Sequence, residues 1–403
     1  MIIRTERIWV KPHPKLSCLC HLAKNLFNEA NYLVRQTYFS TRAWIRAAEL
    51  YSRLQDSPNF KALSQSTAQK ILTLVERAWK SFFAAVTDWK SHPEKYFQRP
   101  RPPKYKRKDG EFLLWFSKAQ LKCVDGRIHL PSIADLCVKM RRSSFQTVIG
   151  VRVVPQGVGY VVEVLYTKPV SKIPTDDSVH VAGIDLGLAN LITLVNNIGQ
   201  QPIVVKGGVA KSINQYYNKE RARLQGVYAR QGIPTGTKLL KLNAKRKRKF
   251  NHYFHEVSRF VVDWCQAHDI DTLIIGRNKN WKQHLHLGKR TTQNFVFIPF
   301  WKLVQKIHYK ATDAGIRVIY TDEAYTSKCS FLDREPVTRK QHYLGKRITR
   351  GMFQAKSGTL INSDVNGGYN IMRKAVPNAF ADGIEGVWLH PVRWNTKKQA
   401  TTC

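Results

Sequence analysis

The chain has 403 residues, and 43% of them are hydrophobic. This length and composition allow buried cores in two or three domains and exclude wholesale disorder. Lysine and arginine number 66 against 28 acidic residues, giving a formal net charge of +38. Such a charge opposes compaction unless a polyanion neutralises it, so we expect a nucleic acid partner. The alternative is a solvated basic surface, although solubility needs only about 2–8 net charges.

The cysteines and the first residues narrow the class of protein further. Seven cysteines, an odd number with no CxxC pair, argue against a disulfide framework and a zinc ribbon. The opening MIIRTERIWV lacks a signal-peptide layout, and no run of about 18 apolar residues exists. We therefore expect a cytoplasmic, nucleoid-associated protein with no membrane partner.

The pattern of the first 180 residues predicts a small helical bundle inserted into an antiparallel β-module. Residues 2–10 predict a strand, and apolar residues at spacings of three and four predict helices from about residue 19 to residue 86. From about residue 111 to 170 the alternation has period two, with hairpin turns at Asp125-Gly126 and around Pro155–Gly159. The first strand would complete this module as a barrel.

Two basic runs are candidate nucleic-acid-binding segments. The first, RPRPPKYKRK, indicates an extended segment along a phosphate backbone or, equally, a stiff linker. Its basic residues are Arg99, Arg101, Lys104, Lys106, Arg107 and Lys108. The second run lies in a helical region and consists of Lys245, Arg246, Lys247, Arg248 and Lys249.

From residue 181 the order of elements is typical of a ribonuclease-H-like fold. VAGIDLG, NLITLVN and QPIVVK predict three strands joined by tight turns. A basic helical region, a strand at 271–276, a helix at about 299–314 and a strand at 317–323 follow. About 40 residues of weak periodicity then lead to a helix from about 364 to 375. This order predicts an α/β domain with a mixed five-stranded sheet and helices on both faces.

Two acidic residues stand in apolar, glycine-rich settings within this domain. Asp185 lies in GIDLG, and Asp364 opens the last predicted helix. Phosphodiester hydrolysis with two metal ions needs about three carboxylates at one point, so both are candidate ligands of Mg²⁺ or Mn²⁺. The alternatives are a turn-forming aspartate at 185 and a helix N-cap at 364.

The middle acid of such a site is missing from its usual strand end, where this chain has Gly276. The following strand ends in Thr321-Asp322-Glu323, and alternation allows only one of the two acids to point inward. We favour Glu323, the longer side chain, because it has to reach across about 10 Å from the fifth strand to the first. The alternative is that both acids are solvated.

With these residues in place, the chain resembles TnpB, the RNA-guided nucleases of bacterial insertion sequences and relatives of type V CRISPR effectors. The stretches that carry the resemblance are GIDLGLANLITL, LIIGRNKNWKQ, FVFIPFWKLVQKIHYKATDAGIRVIYTDEAYTSKCSFLD and INSDVNGGYNIMRK. The resemblance implies a RuvC-like nuclease domain over residues 181–375 and a C-terminal tail over 376–403. It further implies a wedge β-barrel formed by 1–12 and 97–180, with a helical recognition insertion at 13–96.

The resemblance also implies which residues form the site. The first and last acids of the family correspond to Asp185 and Asp364. Some members share the glycine at 276 and a glutamate before Tyr-Thr-Ser, here Glu323, which implies a relocated second acid. Many members carry two CxxC pairs before the last acid, whereas residues 324–363 contain only Cys329 and His342. We therefore expect no zinc and a metal-free basic loop containing Arg339, Lys340, Lys346, Arg347, Arg350 and Lys356.

By the same resemblance, the protein would bind a guide RNA made from its transposon end and pair it with double-stranded DNA beside a short adjacent motif. The single RuvC site would then cut DNA with Mg²⁺ or Mn²⁺. Trp281 and Tyr325 are candidates for stacking on unpaired bases, or for core packing. The alternatives are a catalytically inactive RNA-guided repressor, for which Gly276 would be the evidence, and a DNA transposase with a ribonuclease-H-like fold.

Overall fold

The structure is a computed structural model. It describes residues 2–124, 126–131, 133–140, 147–169, 180–277, 297–381 and 383–394. The chain divides into two compact units, Met1–Pro169 and Val170–Cys403. No helix in these described ranges is long and apolar enough to cross a membrane.

The helices of the first unit confirm the predicted bundle. They are α1 (Pro14–Thr41), α2 (Ala47–Leu54), α3 (Pro58–Lys61) and α4 (Gln65–Ser91). The apolar stripes of α1 and α4 are buried against each other because residues three and four apart share one helix face. Trp79 is fully buried in this core, and its indole Nε1 donates a 2.9 Å hydrogen bond to Asn31 Oδ1.

The strands of the first unit form two sheets. They are β1 (Ile2–Val10), β2 (Leu114–Ser117), β3 (Lys122–Val124), β4 (Arg127–Leu130), β5 (Ile133–Lys139), β6 (Thr147–Pro155) and β7 (Tyr160–Lys168). One sheet has the order β1-β7-β6-β2 and the other β3-β4-β5. The hairpin predicted at Pro155–Gly159 is confirmed. The hairpin at Asp125-Gly126 joins β3 to β4, although Asp125 itself is outside the described residues. Closure of a single barrel stays a prediction.

The second unit is built on a mixed sheet of six strands in the described part of the chain. They are β8 (Val181–Asp185), β9 (Asn190–Asn196), β10 (Ile203–Lys206), β11 (Thr272–Gly276), β12 (Arg317–Thr321) and β16 (Val392–Arg393). Their order is β12-β11-β8-β9-β10-β16, and β8, β11 and β12 run parallel. The prediction of five strands was therefore wrong by one, because β16, from the predicted tail, pairs with the edge strand β10.

Helices cover both faces of this sheet, as predicted. They are α5 (Gly208–Arg230), α6 (Thr237–Ala267), α7 (Phe300–Asp313) and α8 (Ser363–Ala375). The helices α6 and α7 share a core with alternate residues of the strands, including Ile184 and Ile275. The helix α8 shares another core with the intervening residues, including Val181 and Ile274. This alternation follows from the period of two in a strand.

The segment of weak periodicity before α8 is more ordered than the sequence indicates. Its strands β13 (Lys346–Arg347), β14 (Met352–Gln354) and β15 (Leu360–Asn362) form a small antiparallel sheet. Strands of two or three residues are too short to show a recognisable alternation. Phe353 and Ile361 of this small sheet are buried in the same core as α8, so the segment is anchored on the helix that begins with the last predicted acid.

Candidate active site

The three predicted acids converge at the carboxyl ends of the parallel strands. Asp185 is the last residue of β8. The neighbouring strand β11 pairs Ile275 with Ile184 and ends one residue later, at Gly276. On its other side Gly276 pairs with Thr321, the last residue of β12. The strand ends of β8, β11 and β12 therefore lie side by side, and Glu323 follows two residues after Thr321.

The side chain of Glu323 fills the space beside Gly276. A Cβ atom built on Gly276 would lie 2.5 Å from Glu323 Oε1 and 2.8 Å from Glu323 Cγ. Real Cβ atoms do not approach other atoms so closely, so any side chain at 276 would compete with Glu323 for this volume. The glutamate from β12 thus lies where a side chain from β11 would otherwise project.

Asp322 points away from this convergence. Its side chain is 57% exposed and lies 3.4 Å from the ammonium of Lys374. Its Oδ2 also accepts a 3.2 Å hydrogen bond from the backbone N–H of Ala324. These contacts leave Glu323 as the acid of the pair that is directed toward Gly276.

Asp364 lies in the first turn of α8, but it is not the N-cap of that helix. Asn362 holds the N-cap position and accepts hydrogen bonds from the N–H groups of Asp364 and Val365 at 3.0 and 3.2 Å. The Asp364 carboxylate instead accepts a 2.7 Å hydrogen bond from Asn190 Nδ2. Its other oxygen lies 3.6 Å from Arg347 Nη2.

Burial and nearby like charges act on two of the acids, Asp185 and Glu323. Burial, followed by the nearby charges of Glu323 and Asp364, raises the pKa of Asp185 well above its usual range. Burial and the neighbouring Asp322 raise the pKa of Glu323 to about 7. Carboxyl groups crowded together in this way favour either protonation or a bound cation.

Glycines allow this close assembly. A Cβ on Gly183 of β8 would lie 2.5 Å from Met372 Cγ and 3.1 Å from the carbonyl oxygen of Gly368, both on α8. A Cβ on Gly367 would lie 3.3 Å from Asp185 Oδ2. The glycines around Asp185 and in DVNGGYN therefore let α8 pack directly on β8 and bring Asp364 to Asp185.

The electrostatic cost of this assembly predicts a stabilising substitution. Because the pKa of Glu323 is raised to about 7, its ionised form destabilises the folded protein, and this cost grows as pH rises from the unfolded-state value through 7. Glu323→Gln should therefore raise the Tm of the metal-free protein by about 2–4 °C at about pH 8.5. The gain should disappear near pH 5. Thermal melts in chelator at both pH values measure this, and equal Tm values at the higher pH would contradict it.

The chemistry of the donor set fits Mg²⁺ or Mn²⁺. The three acids and Asn190 supply oxygen ligands, which these hard cations prefer. Asn190 is 8% exposed, and its Oδ1 has no hydrogen-bond partner among the described residues. Over the described ranges, no three His, Cys, Asp or Glu side chains already enclose a single ion. The assignment of the three acids as metal ligands therefore stays a prediction.

The segment 324–363 is organised around a carboxylate. The side chain of Glu335 is fully buried and accepts hydrogen bonds from the N–H groups of Ser330 (2.8 Å) and Leu344 (3.2 Å). The ammonium of Lys340 lies 3.2 Å from the same carboxylate. Glu335 thus joins Ser330, Lys340 and Leu344 within this segment.

The expectation of no zinc stays a prediction. Cys329 is buried and His342 is exposed, and the carbonyl oxygen of Cys329 accepts hydrogen bonds from Asn366 and Asn370 of α8. We expect elemental analysis of the purified protein to show no stoichiometric zinc, because two side chains are too few for a tetrahedral site. One zinc per chain would overturn this.

The first basic run is an extended segment held along α1. Asn28 of α1 exchanges two hydrogen bonds with the backbone of Lys106, at 3.0 and 2.7 Å, and Arg35 donates to the carbonyl of Pro103 at 3.0 Å. These bonds occupy the backbone and leave five basic side chains exposed, namely Arg99, Arg101, Lys104, Arg107 and Lys108. Lys106 is half-buried, with its ammonium 4.6 Å from the ring centroid of Phe27.

The second basic run lies within α6, and one of its members faces inward. Arg246 is half-buried and donates to Asn214 Oδ1 at 3.0 Å and to the carbonyl of Phe297 at 2.5 Å. Burial lowers the pKa of this guanidinium. The remaining four, Lys245, Lys247, Arg248 and Lys249, are exposed. Arg246 therefore serves the packing of α6, which does not fit a direct contact with phosphate.

Two residues at the site were not predicted from the sequence, Asn190 and Arg347. Arg347 was assigned only to the basic loop, and nothing in the sequence indicated that it contacts Asp364. Asn190 is a single polar residue at the start of an apolar strand, a position with no distinctive signal. Of the stacking candidates, Tyr325 is half-buried with a positive φ of 69°, and Trp281 is outside the described residues.

Sequence comparisons find similarity to known proteins and families. A family model described as a probable transposase (OrfB_IS605) matches residues 160–282, and one described as Cas12f1-like, TNB domain, matches residues 300–371. The chain is 24% identical to the TnpB-like protein ORF457 of Acidianus two-tailed virus, over 90% of this chain and 83% of the relative. It is 28% identical to the CRISPR-associated endodeoxyribonuclease Cas12f1 of Sulfoacidibacillus thermotolerans, over 49% of this chain and 46% of the relative.

Solved structures share the fold. The chain matches Cas12f1 in its complex with sgRNA and target DNA with a TM-score of 0.52 and 11% identity, covering 90% of this chain and 83% of that one. It matches the mini-RNA-guided endonuclease CRISPR-Cas_phi3 with a TM-score of 0.52 and 10% identity, covering 97% and 94%. The fold therefore belongs to the class of mixed α+β proteins that includes the Cas12f and Cas-phi effectors. In sequence, the chain is similar to TnpB-like proteins and to the probable-transposase family model.

Proposed function

We propose that the protein is an RNA-guided DNA endonuclease of a transposable element, which hydrolyses phosphodiesters at one RuvC site. The observation that carries the proposal is the position of Glu323, whose carboxylate lies in the volume beside Gly276 and in electrostatic contact with Asp185. A chain that had lost its second acid at 276 would not need another acid at this point. Relatives named as an endodeoxyribonuclease and as a TnpB-like protein support the same activity.

In this proposal Asp185, Glu323 and Asp364 hold the divalent cations, Mg²⁺ or Mn²⁺. The cations supply Lewis acidity and lower the pKa of a bound water. The chain's own contribution is to gather the carboxylates and keep them oriented. Asn190 holds Asp364 through the 2.7 Å hydrogen bond, and the backbone N–H of Leu186 bonds to the Asp185 carboxylate.

We assign Arg347 to the phosphate of the strand being cut. Its guanidinium lies 3.6 Å from Asp364 and is 46% exposed, so it is next to the acids and open to a ligand. A cation there stabilises the additional negative charge that develops on the phosphate. Arg347→Ala should lower the cleavage rate by about 100-fold or more and leave RNA affinity nearly unchanged. Arg350→Ala, an exposed arginine of the same segment, is the matched control and should cut at close to the normal rate.

The partners in this proposal are a guide RNA from the transposon end and double-stranded DNA with a short adjacent motif. Solved relatives containing sgRNA and target DNA support this. Base pairing supplies the sequence specificity, so the protein needs mainly contacts to backbone and shape. The exposed basic residues of 99–108 and of 245–249 suit such contacts. The first unit would serve as the wedge β-barrel with its helical recognition insertion.

The direct test is cleavage of a target plasmid. The protein is purified with its co-purifying RNA, which is sequenced to define the guide, and is then incubated with a matching plasmid and Mg²⁺. We expect cutting by the wild type and none by Asp185→Ala or Asp364→Ala. Both variants should bind RNA as the wild type does in an electrophoretic mobility-shift assay. RNA and target binding without cutting by the wild type would instead establish an inactive RNA-guided repressor.

A further inference from the structure

An exposed aromatic cluster lies beside the candidate active site and has no part in the chemistry described above. It consists of Trp301 at the start of α7, Tyr320 near the end of β12, and Arg277, which follows β11 directly. We propose that this cluster, the Trp301–Tyr320 platform, binds unpaired bases of the DNA strand that is to be cut. The proposal rests on the proposed nuclease function and names a substrate contact for it.

The geometry of the platform is held by its neighbours. The ring centroids of Trp301 and Tyr320 are 6.1 Å apart, and the Arg277 guanidinium carbon lies 4.5 Å from the first and 6.0 Å from the second. Tyr320 is fixed by His308, with 3.0 Å between its hydroxyl oxygen and His308 Nδ1 and the two rings stacked at 10°. Yet Trp301 remains 45% exposed and Tyr320 36% exposed.

The platform lies at the same end of the sheet as the acids. Arg277 follows Gly276 in the chain, and its N–H donates a 2.7 Å hydrogen bond to the carbonyl of Thr321. Ile319 of β12 packs toward α8, whereas Val318 packs toward α7. Tyr320, two residues after Val318, is therefore on the α7 face. A strand that passes over the ends of β11 and β12 would meet the platform on one face and the acids on the other.

The chemistry of the platform selects single-stranded nucleic acid. Trp301 and Tyr320 are 45% and 36% exposed although Arg277 lies over the first ring and His308 is stacked on the second, so part of each ring remains accessible. Unpaired bases stack on such rings without regard to sequence, and an adjacent arginine adds cation–π and phosphate contacts. Bases inside a duplex are already stacked on each other and do not reach the rings. In the proposed nuclease, such a contact would hold an unwound strand close to the acids.

Photocrosslinking with substituted DNA tests the platform directly. The Asp185→Ala full-length protein, with its RNA, is bound to a target carrying 5-iododeoxyuridine in the unpaired strand, irradiated, and mapped by mass spectrometry. We expect crosslinks at Trp301 or Tyr320. A parallel sample carries 5-iodouridine in the RNA and natural DNA. Crosslinks to the platform in the RNA sample alone, or in neither, would overturn the assignment to DNA.

Substitutions provide a second, quantitative measurement. The double variant Trp301→Leu with Tyr320→Leu should weaken binding of a single-stranded DNA oligonucleotide by about 5- to 150-fold for each stacked base that is lost. Replacing Trp301 by Phe instead of Leu should restore part of this affinity. The matched control is Trp388→Leu, because Trp388 is 49% exposed and its indole bonds to Gly199, at the turn between β9 and β10. Equal weakening by the control would overturn the proposal.

These measurements separate the platform from the nuclease activity. They use binding and crosslinking by a variant that lacks one of the proposed catalytic acids, so they do not depend on cutting. Crosslinks at the platform together with a wild-type protein that does not cut would contradict the nuclease proposal alone. Normal cutting together with unchanged DNA affinity of the double variant would contradict the platform alone.

Discussion

Glu323→Ala should abolish DNA cleavage, whereas Asp322→Ala should cut at close to the wild-type rate. The two acids are adjacent in sequence but differ in environment. Glu323 fills the volume beside Gly276, and Asp322 is 57% exposed and paired with Lys374. In the proposed function Glu323 helps to hold the metal ions, so its loss would remove charge compensation on which hydrolysis depends. Plasmid cleavage and RNA shift, measured in parallel on both variants, give the comparison. Full activity of Glu323→Ala would disprove the relocation of the acid.

Substitutions at Gly276 test the same relocation from the other strand. Even a methyl group at 276 would lie 2.5 Å from Glu323 Oε1 and 2.7 Å from Ile371 Cδ1, so Gly276→Ala should displace the carboxylate and impair cutting. Gly276→Glu alone should be impaired as well, since it crowds a further negative charge beside Glu323. Combined with Glu323→Ala, it should regain partial activity, because a metal requires an oxygen at a given point from either strand. Recovery should be incomplete, since Ile371 still restricts the space.

RNA affinity should fall about 1,000-fold between 50 and 200 mM salt if the protein contacts about six phosphates. The reason is that each neutralised phosphate releases a counterion, and the net charge of +38 supplies ample lysine and arginine for such contacts. Affinity measured over a series of salt concentrations gives the slope. A flat dependence would mean that the charge is mainly solvated surface.

Substitutions identify which basic residues contribute to the salt dependence of RNA affinity. Replacing Lys245, Lys247 and Lys249 by alanine should reduce the slope by about 0.7–0.9 for each phosphate contact that is lost. Arg246→Ala should act differently, destabilising α6 through the loss of its bonds to Asn214 and Phe297 with little change of slope. Lys61→Ala removes an exposed lysine that pairs with Asp56 and serves as the control. If it lowers the slope as much as the triple variant, the contacts are not localised to α6.

Elements with local patterns could be predicted from the sequence. Period-two alternation and helical stripes are properties of neighbouring residues, so they predicted strands and helices in the correct order, including the parallel strands around Asp185. Glycines flank Asp185 in GIDLG, and the structure shows the reason for one of them, because a Cβ on Gly183 would lie 2.5 Å from Met372 Cγ of α8. Net charge is a sum over residues and needs no fold. These features are sufficient to make Asp185 and Asp364 candidates.

Groups that look equivalent in the sequence are distinguished by their contacts in the folded protein. Alternation did not separate Asp322 from Glu323, because β12 ends at Thr321 and both acids lie beyond its ladder. The contact of Arg347 with Asp364 joins positions brought together only when the short strands β13–β15 pack on α8. Arg246 faces inward because it lies on the same helix face as the buried residues Leu242 and Phe250. Its exposed neighbours in the sequence are basic as well, so residue type alone does not distinguish it. Such side-chain directions depend on contacts between distant segments, and a linear pattern does not contain them.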